Sequence, residues 1–204
     1  IASPSGDCAS MTGLLFDIPE AIVPDISGLQ YIPDFITADE ERTLIKAIDQ
    51  QPWLNDLKRR VQHYGYKYDY KARWVTPSSY IGPLPEWIKS IADKLPFKAD
   101  QAIVNEYLSG QGISAHVDCV PCFGDMIASL SLGSGAVMQF TNAEHKEEIY
   151  LEPRSLFVLS GEARYQWTHA IPARKSDMVN GFKIERERRI SLTFRSVILE
   201  RKII

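Results

Sequence analysis

Two residues in the middle of the chain have the chemistry and the spacing of metal ligands. His116 and Asp118 are two positions apart, and side chains at i and i+2 of a β-strand point to the same face. A histidine nitrogen and a carboxylate oxygen could therefore hold one ion from one side. Two histidines and one carboxylate, with the remaining coordination positions open, are typical of non-haem Fe(II) oxygenases. A His-x-Asp pair also arises by chance, so the prediction depends on a third ligand.

The third ligand is sought among the other histidines. His63 lies in a basic, aromatic stretch, and His145 lies in a polar run that favours a solvated turn. His169 follows Trp167 in a less polar setting, so it alone is predicted to be buried. A lone buried histidine is more often a hydrogen-bonded core residue than a ligand. His169 therefore becomes the third ligand only together with the features that follow.

The last predicted strand carries two arginines in its polar row. Within residues 189–195, apolar side chains alternate with Arg189, Ser191, Thr193 and Arg195. Arginines inside a strongly β-forming segment are costly unless they meet anions. Because a guanidinium binds carboxylates in a bidentate way, the two arginines could hold the ends of a short dicarboxylate. The alternative is a solvent-facing strand with ordinary surface arginines.

The elements that must position these residues change type along the chain. Thr37–Glu40 has the pattern of a helix-capping box, and a second helix is predicted between Pro85 and Pro96. Many short strands without βαβ alternation favour an α+β, mainly β fold. We expect a double-stranded β-helix, or jelly roll, with the helices against one face of the sheet. The predicted strands cover residues 102–108, 126–132, 136–140, 148–151, 156–160 and 189–198.

A basic and aromatic stretch precedes these strands, over residues 56–74. Its tyrosines alternate from Tyr64 to Tyr70, so in an extended ribbon they would share a face. Basic groups beside stacked rings suit a nucleic-acid strand, because the charges hold phosphates and the rings stack on bases. The alternative is a strand whose tyrosines pack on the core. The candidate substrate residues are Lys58, Arg59, Arg60, Tyr64, Tyr66, Tyr68 and Arg73.

The composition of the chain limits its possible partners, its domain organisation and its location. The chain has 204 residues and a net charge of -3, so nucleic-acid contact would have to use a local basic patch. Residues 1–10 are interpreted as a tag scar, and residues 11–204 as one domain. No run of 18 apolar residues occurs, so we expect no membrane partner. We also expect no obligate protein partner, and a cytoplasmic location, or a nuclear one if the source is eukaryotic.

Cys119 and Cys122 form a Cys-x-x-Cys pair. This spacing can mark a redox pair or half of a zinc site, but a structural zinc needs four ligands and the sequence has no second pair. We interpret the two residues as reduced thiols of a cytosolic enzyme.

The order of these motifs resembles the AlkB family of dioxygenases, over about residues 29–198. The resemblance is carried by Asn105-x-Tyr107, His116-x-Asp118, His169 and Arg189-x5-Arg195. It implies a jelly-roll core and the use of Fe(II), 2-oxoglutarate and O2. It further implies that residues 56–74 form a nucleotide-recognition lid. By position, the iron ligands would be His116, Asp118 and His169. Arg189 would bind the distal carboxylate of 2-oxoglutarate with Tyr107 and Ser191, and Arg195 and Asn105 would lie at the iron-proximal end.

The resemblance also implies a substrate class. Residues 61–66, 129–134, 153–155 and 161–169 are most similar to AlkB homologues that hydroxylate a modified wobble uridine in tRNA. Bacterial members carry an acidic base-reading residue where this chain has Val120. We therefore expect oxidative demethylation or hydroxylation of modified bases in DNA or RNA. A hydroxylase of proteins or small molecules on the same scaffold, and a non-catalytic jelly-roll binding module, remain the alternatives.

Overall fold

Two antiparallel sheets form the body of the protein, as seen in a computed structural model that describes residues 22–55 and 57–199. The proposed tag scar, residues 1–10, lies outside these ranges. The helices are α1 (Ala38–Asp49), α2 (Glu86–Ala92) and α3 (Gly161–Tyr165). The strands are β1 (Leu29–Ile32), β2 (Val61–Tyr64), β3 (Gln101–Tyr107), β4 (Ile113–His116), β5 (Phe123–Gly133), β6 (Ala136–Thr141), β7 (Lys146–Leu151), β8 (Leu156–Leu159), β9 (Thr168–Ile171), β10 (Ser176–Val179), β11 (Phe182–Glu185) and β12 (Arg189–Val197).

The sheets are of unequal size. The major sheet has the strand order β1-β8-β5-β12-β3-β2, and the minor sheet has the order β4-β9-β6-β7. The hairpin of β10 and β11 stands apart as a two-stranded sheet. Two facing antiparallel sheets with non-sequential neighbours are the arrangement of a jelly roll. The predicted mainly β class with a jelly-roll core is therefore confirmed.

Helices α1 and α2 cover the outer face of the major sheet. Helix α1 begins with the predicted capping box, in which Thr37 and Glu40 satisfy each other's backbone N–H groups. Its Leu44 and Ile48 pack with Ile88 and Ile91 of α2 against the apolar side chains of the sheet. Helix α2 is shorter than predicted, because i→i−3 hydrogen bonds to Ile91 and Ala92 close a tight turn after it.

Side chains along β12 point alternately to the hydrophobic core under the helices and to the space between the two sheets. Ile190, Leu192 and Phe194 face the helices, whereas the residues between them face the second core layer and the minor sheet. The predicted alternation of this strand is confirmed. Strands β1, β2, β4, β9, β10 and β11 lie outside the predicted strands. Each has only four residues, which give a weak periodic signal. No helix of the described residues is long and apolar enough to cross a membrane.

Candidate metal centre and cosubstrate pocket

His116, Asp118 and His169 lie together between the two sheets. His116 is the last residue of β4 and pairs in register with His169 of β9, so their rings are 4.4 Å apart between centroids. Asp118 lies in the loop after β4, not on the strand as expected, yet it still faces the histidines. One ligand atom from each residue lies within 4.8 Å of the other two. It is the only such cluster found among residues 22–55 and 57–199.

The electrostatics of the cluster suit a divalent cation. Burial is the largest single influence on Asp118 and opposes its ionisation. The neighbouring positive groups, of which Arg195 has the largest effect, together outweigh burial and hold the pKa of this carboxyl well below its ordinary range. Arg195 donates from Nε and Nη2 to Asp118 Oδ1, at 3.0 and 2.6 Å. Burial lowers the pKa of His169 to about 4, so its imidazole is neutral near pH 7. An ionised carboxylate and a neutral imidazole are the forms that bind metals.

The expectation that His169 alone is buried was wrong. His63 is 8% exposed and His169 is 7% exposed, so burial does not distinguish them. Position does: His63 lies on edge strand β2 beside Tyr70, with ring centroids 5.7 Å apart. His145 is exposed in the turn between β6 and β7, as predicted. The residue that belongs to the ligand cluster is thus identified by strand pairing and not by polarity of its neighbours.

A cavity of about 920 Å³ opens beside the metal-ligand cluster and runs between the sheets. Arg189 lines it and is 2% exposed. Its Nη2 donates to Ser131 Oγ at 2.9 Å, whereas Nε and Nη1 have no hydrogen-bond partner among the described residues. Its guanidinium lies 5.5 Å from the ring centroid of Tyr107. Burial lowers the pKa of Arg189 to about 10.

The two arginines of strand β12, Arg189 and Arg195, have different hydrogen-bond partners. Arg189 has open donors, whereas Arg195 is already paired with Asp118 and retains only Nη1 without a partner among the described residues. A dicarboxylate gripped equally by both arginines is therefore not what this geometry favours. Asn105 also lines the cavity, and its Oδ1 accepts a hydrogen bond from Arg59 Nε at 2.9 Å. Ser191 lies between the arginines and contacts Ser129 through its hydroxyl, at 2.8 Å.

A row of hydroxyl groups on the inner face of β5 was not among the predicted site residues. Ser129 and Ser131 are buried on the inner face, and Ser131 provides the hydrogen bond to Arg189. Both serines fall at alternate positions of a predicted strand, so the same alternation that singled out Arg189 would have found them. Tyr70 was also left out of the candidate set, although it lines the cavity.

The candidate substrate residues divide into two groups. Lys58, Arg59, Tyr68 and Arg73 line the cavity beside the metal-ligand cluster. The other three do not. Arg60 forms an ion pair with Glu106, Tyr64 packs edge-on against Trp87, and Tyr66 packs against Tyr80.

The expectation that the tyrosines share one face of a ribbon was wrong. Strand β2 ends at Tyr64, and Gly65 takes a left-handed conformation with φ of 77°. A side chain there would lie 1.8 Å from the carbonyl oxygen of Asp100, so the change of direction requires glycine. Tyr68 and Tyr70 come after this break and pack edge-on against each other at 5.2 Å. The alternation of the sequence therefore crosses a point where the backbone no longer alternates.

Cys119 and Cys122 form a disulfide, so the expectation of two reduced thiols was wrong. A tight turn, closed by a hydrogen bond from Cys122 N to Cys119 O, brings their Cα atoms to 5.3 Å. This separation is within the range that a disulfide spans. Sequence spacing alone could not establish this turn.

The residues present fit Fe(II) and 2-oxoglutarate. The donor set of two imidazoles and one carboxylate on one side leaves positions open for a cosubstrate. The unpartnered Nε and Nη1 of Arg189 are buried and line the same cavity, where a carboxylate would satisfy them.

Comparison with known proteins agrees with this site. The family model of the 2OG-Fe(II) oxygenase superfamily matches residues 28–195. The "Alkylated DNA repair protein ALKBH8 homolog" of Arabidopsis thaliana is 40% identical and aligns over 85% of this chain and 59% of its own length. The mouse "tRNA (carboxymethyluridine(34)-5-O)-methyltransferase ALKBH8" is 39% identical over 78% of this chain and 26% of its own length. The chain thus spans less than two thirds of either ALKBH8 relative.

A shorter relative is matched along most of its length. The mouse "Alpha-ketoglutarate-dependent dioxygenase alkB homolog 7, mitochondrial" is 32% identical, over 81% of this chain and 76% of its own length. The solved structure of OsALKBH1 superposes with a TM-score of 0.63 at 18% identity, covering 83% of this chain and 96% of that one, which establishes the likeness of the folds. The chain therefore belongs to the AlkB family within the 2OG-Fe(II) oxygenase superfamily, and is a dioxygenase that depends on Fe(II), 2-oxoglutarate and O2.

Proposed function

We propose that this dioxygenase oxidises a modified base of a nucleic acid, by demethylation or hydroxylation. The observation that carries the proposal is the lining of the cavity. Lys58, Arg59 and Arg73 provide positive charge beside the rings of Tyr68 and Tyr70, and the same cavity contains the metal-ligand cluster. Charged groups beside stacking rings suit a nucleotide better than an apolar small molecule.

Within this proposal His116, Asp118 and His169 hold Fe(II). Arg189 binds the distal carboxylate of 2-oxoglutarate, with Ser131, Tyr107 and Ser191 beside it, and Arg195 and Asn105 lie toward the iron. When bound, Fe(II) and 2-oxoglutarate supply oxidative chemistry in which O2 is reduced, 2-oxoglutarate yields succinate and CO2, and an oxygen atom enters a substrate C–H bond.

The protein's own residues prepare the reaction. The positive groups around Asp118, Arg195 foremost among them, keep its carboxyl ionised, and burial keeps His169 neutral. Both are therefore ready to bind metal without losing a proton first. Asp118 and His169 are both buried, inside the cavity between the two sheets. The base has to leave its stack to reach this depth, so the substrate is single-stranded or its target base is flipped.

Two relatives support a nucleic-acid substrate through their printed names, one as an alkylated DNA repair protein and one as a tRNA modification enzyme. The tRNA name agrees with the resemblance of residues 161–169. Neither relative distinguishes DNA from RNA for this chain, so both belong in the test.

The test is product analysis by mass spectrometry. The iron-loaded enzyme is incubated with total tRNA, with alkylated single-stranded DNA and with a peptide mixture, each with and without 2-oxoglutarate. We expect oxidised nucleosides that depend on 2-oxoglutarate. Oxidised peptides with unchanged nucleosides would contradict the proposal and favour a protein substrate.

A charge-reversal pair tests the rim of the cavity. Lys58→Glu/Arg73→Glu should weaken oligonucleotide binding and flatten its dependence on log salt by about 1.4, since each single-strand phosphate contact contributes roughly 0.7. Slow decarboxylation of 2-oxoglutarate without nucleic acid should be retained. The matched control is Lys89→Glu/Lys183→Glu, on exposed residues away from the cavity, which should bind like the wild type.

A further inference from the structure

Arg164 is a buried cation that the site described above does not use. It is 1% exposed and is the largest of the fully buried side chains among the described residues. It does not line the cavity, so a carboxylate bound there would not contact it. It also forms no ion pair with a described residue, unlike Arg186, which pairs with Asp177.

The hydrogen bonds of Arg164 go to one short loop. Nη1 donates to the backbone oxygen of Asp118 at 3.0 Å, and Nη2 donates to that of Cys119 at 3.4 Å. The guanidinium lies 5.0 Å from the ring centroid of Tyr165. Nε has no partner among the described residues. Burying a guanidinium for two backbone bonds is costly, so a purely apolar side chain would fill this place more cheaply.

The backbone of the loop that Arg164 contacts is not held by strand pairing. Strand β4 ends at His116, so Asp118 is outside any sheet ladder. Within the described ranges, the carbonyl oxygen of Asp118 accepts no backbone hydrogen bond, and Arg164 is its partner. The turn that follows is closed within itself, from Cys122 N to Cys119 O.

Arg164 also lies on the segment that supplies another ligand. Helix α3 ends at Tyr165, and His169 follows on β9. One stretch of nine residues, 161–169, therefore contains both the His169 imidazole and the guanidinium bound to the backbone of Asp118. A displacement of this stretch would move the histidine and the carboxylate together.

We propose that Arg164 is a positioning residue that fixes the backbone of Asp118 relative to His169, so that the carboxylate is held in place before metal binds. The inference rests on the assignment of His116, Asp118 and His169 as iron ligands. Residues that orient metal ligands typically contribute 10–100-fold to metal affinity. Fixing the carboxylate removes the loss of loop entropy that metal binding would otherwise cause.

The experiment measures Co(II) affinity by visible absorption and calorimetry, together with thermal stability. Arg164→Met removes both donors and the charge while keeping an unbranched, flexible side chain. We expect its Co(II) affinity to fall about 10–100-fold, with the 2-oxoglutarate KM at saturating metal within about twofold of the wild type. Arg164→Lys, which retains the charge and can reach one carbonyl, should recover part of the affinity and serves if the Met variant does not fold.

The matched control is Arg186→Met, which also removes a buried arginine but touches no residue of the ligand loop. We expect it to lower the melting temperature without changing Co(II) affinity. Unchanged affinity in both Arg164 variants, or an equal loss in Arg186→Met, would overturn the positioning role. The variant Asp118→Ala distinguishes failure of the ligand assignment from failure of the positioning role. If it too retains full Co(II) affinity, the ligand assignment itself fails; if it loses affinity while the Arg164 variants do not, only the positioning role fails.

Discussion

Both faces of the major sheet contain a buried charged side chain, Glu106 on the outer face and Arg189 on the inner face, but only Glu106 is paired with described side chains of opposite charge. On the outer face, the Glu106 carboxylate of β3 accepts hydrogen bonds from Arg60 Nε and from Arg188 Nε, at 2.6 and 2.7 Å. Arg188 in turn contacts Asp49 at the end of α1. On the inner face, Arg189 has one hydrogen bond to Ser131 and two donors without partners among the described residues.

This difference distinguishes a charged side chain that stabilises the fold from one that is available to bind a ligand. Arg188 and Arg189 are adjacent in sequence, yet one is fully paired by the protein and the other is left incomplete beside a cavity. An unsatisfied buried donor costs roughly 1–3 kcal/mol, so its retention needs a reason outside the folded chain alone. In the function proposed above, the carboxylate of the cosubstrate would provide that reason. Variants on the two faces should therefore behave differently.

Removal of a proposed metal ligand should have the largest effect on activity. His169→Ala should abolish 2-oxoglutarate turnover and lower Fe(II) affinity at least on the order of a hundredfold, because a ligand contributes more than an outer-shell partner does. Succinate release and calorimetric titration measure the two effects. His63→Ala is the control, since it removes a histidine of equal burial outside the ligand cluster. Normal turnover in His169→Ala would show that the third ligand is elsewhere.

Arg189→Met should produce the next largest effect. The 2-oxoglutarate KM should rise on the order of a hundredfold or more, since breaking a buried charge pair costs about 3–5 kcal/mol and about 1.4 kcal/mol corresponds to each factor of ten. Stability without ligand should be unchanged or increased, because an uncompensated charge is removed. Stabilisation by 2-oxoglutarate in a melting experiment should shrink. A wild-type KM in this variant would mean that the dicarboxylate binds elsewhere. Arg189→Lys should recover only part of the affinity.

The outer face should give the opposite result. Glu106→Gln should lower the free energy of unfolding by about 1.5–3 kcal/mol and leave the 2-oxoglutarate KM unchanged. Hydrogen bonding to Arg60 lowers the pKa of Glu106 below its ordinary 4.5, against the effect of burial. Its contribution is therefore present above about pH 4.5 and lost as pH falls through the lower folded value. Urea unfolding at pH 7 and pH 3 should show a smaller difference between variant and wild type at pH 3. An altered KM would contradict the separation of the two faces.

Sequence alone predicted the parts of this site that follow a regular repeat. Arg189, Ser191 and Arg195 are on one face because β12 alternates without interruption from Arg189 to Arg195. The capping box at Thr37 and the apolar stripe of α1 are likewise local patterns. These predictions succeed because the physical cause, a fixed backbone period, is contained within a short stretch of chain.

The parts that sequence could not predict depend on contacts between distant residues or on breaks in a repeat. Burial of His63 follows from its position on edge strand β2, which is set by pairing with β3. Pairing of Arg60 with Glu106 needs the same strand contact. The tyrosine alternation failed at Gly65, where one left-handed residue redirects the chain. The Arg195–Asp118 pair joins residues 77 positions apart, and no local pattern indicates it.

The strict alternation of β12 has a consequence for how this sequence can change in length. Inserting or deleting one residue between Arg189 and Arg195 would send one guanidinium into the apolar layer against the helices and turn an aliphatic side chain toward the cavity. Length is therefore fixed at this strand, whatever the identity of its apolar residues. The turn at residues 142–145, between β6 and β7, is largely exposed. A change of length there would shift neither the apolar layer nor the cavity-facing row of β12. We expect natural variants and engineered insertions to accumulate there and to be absent from β12.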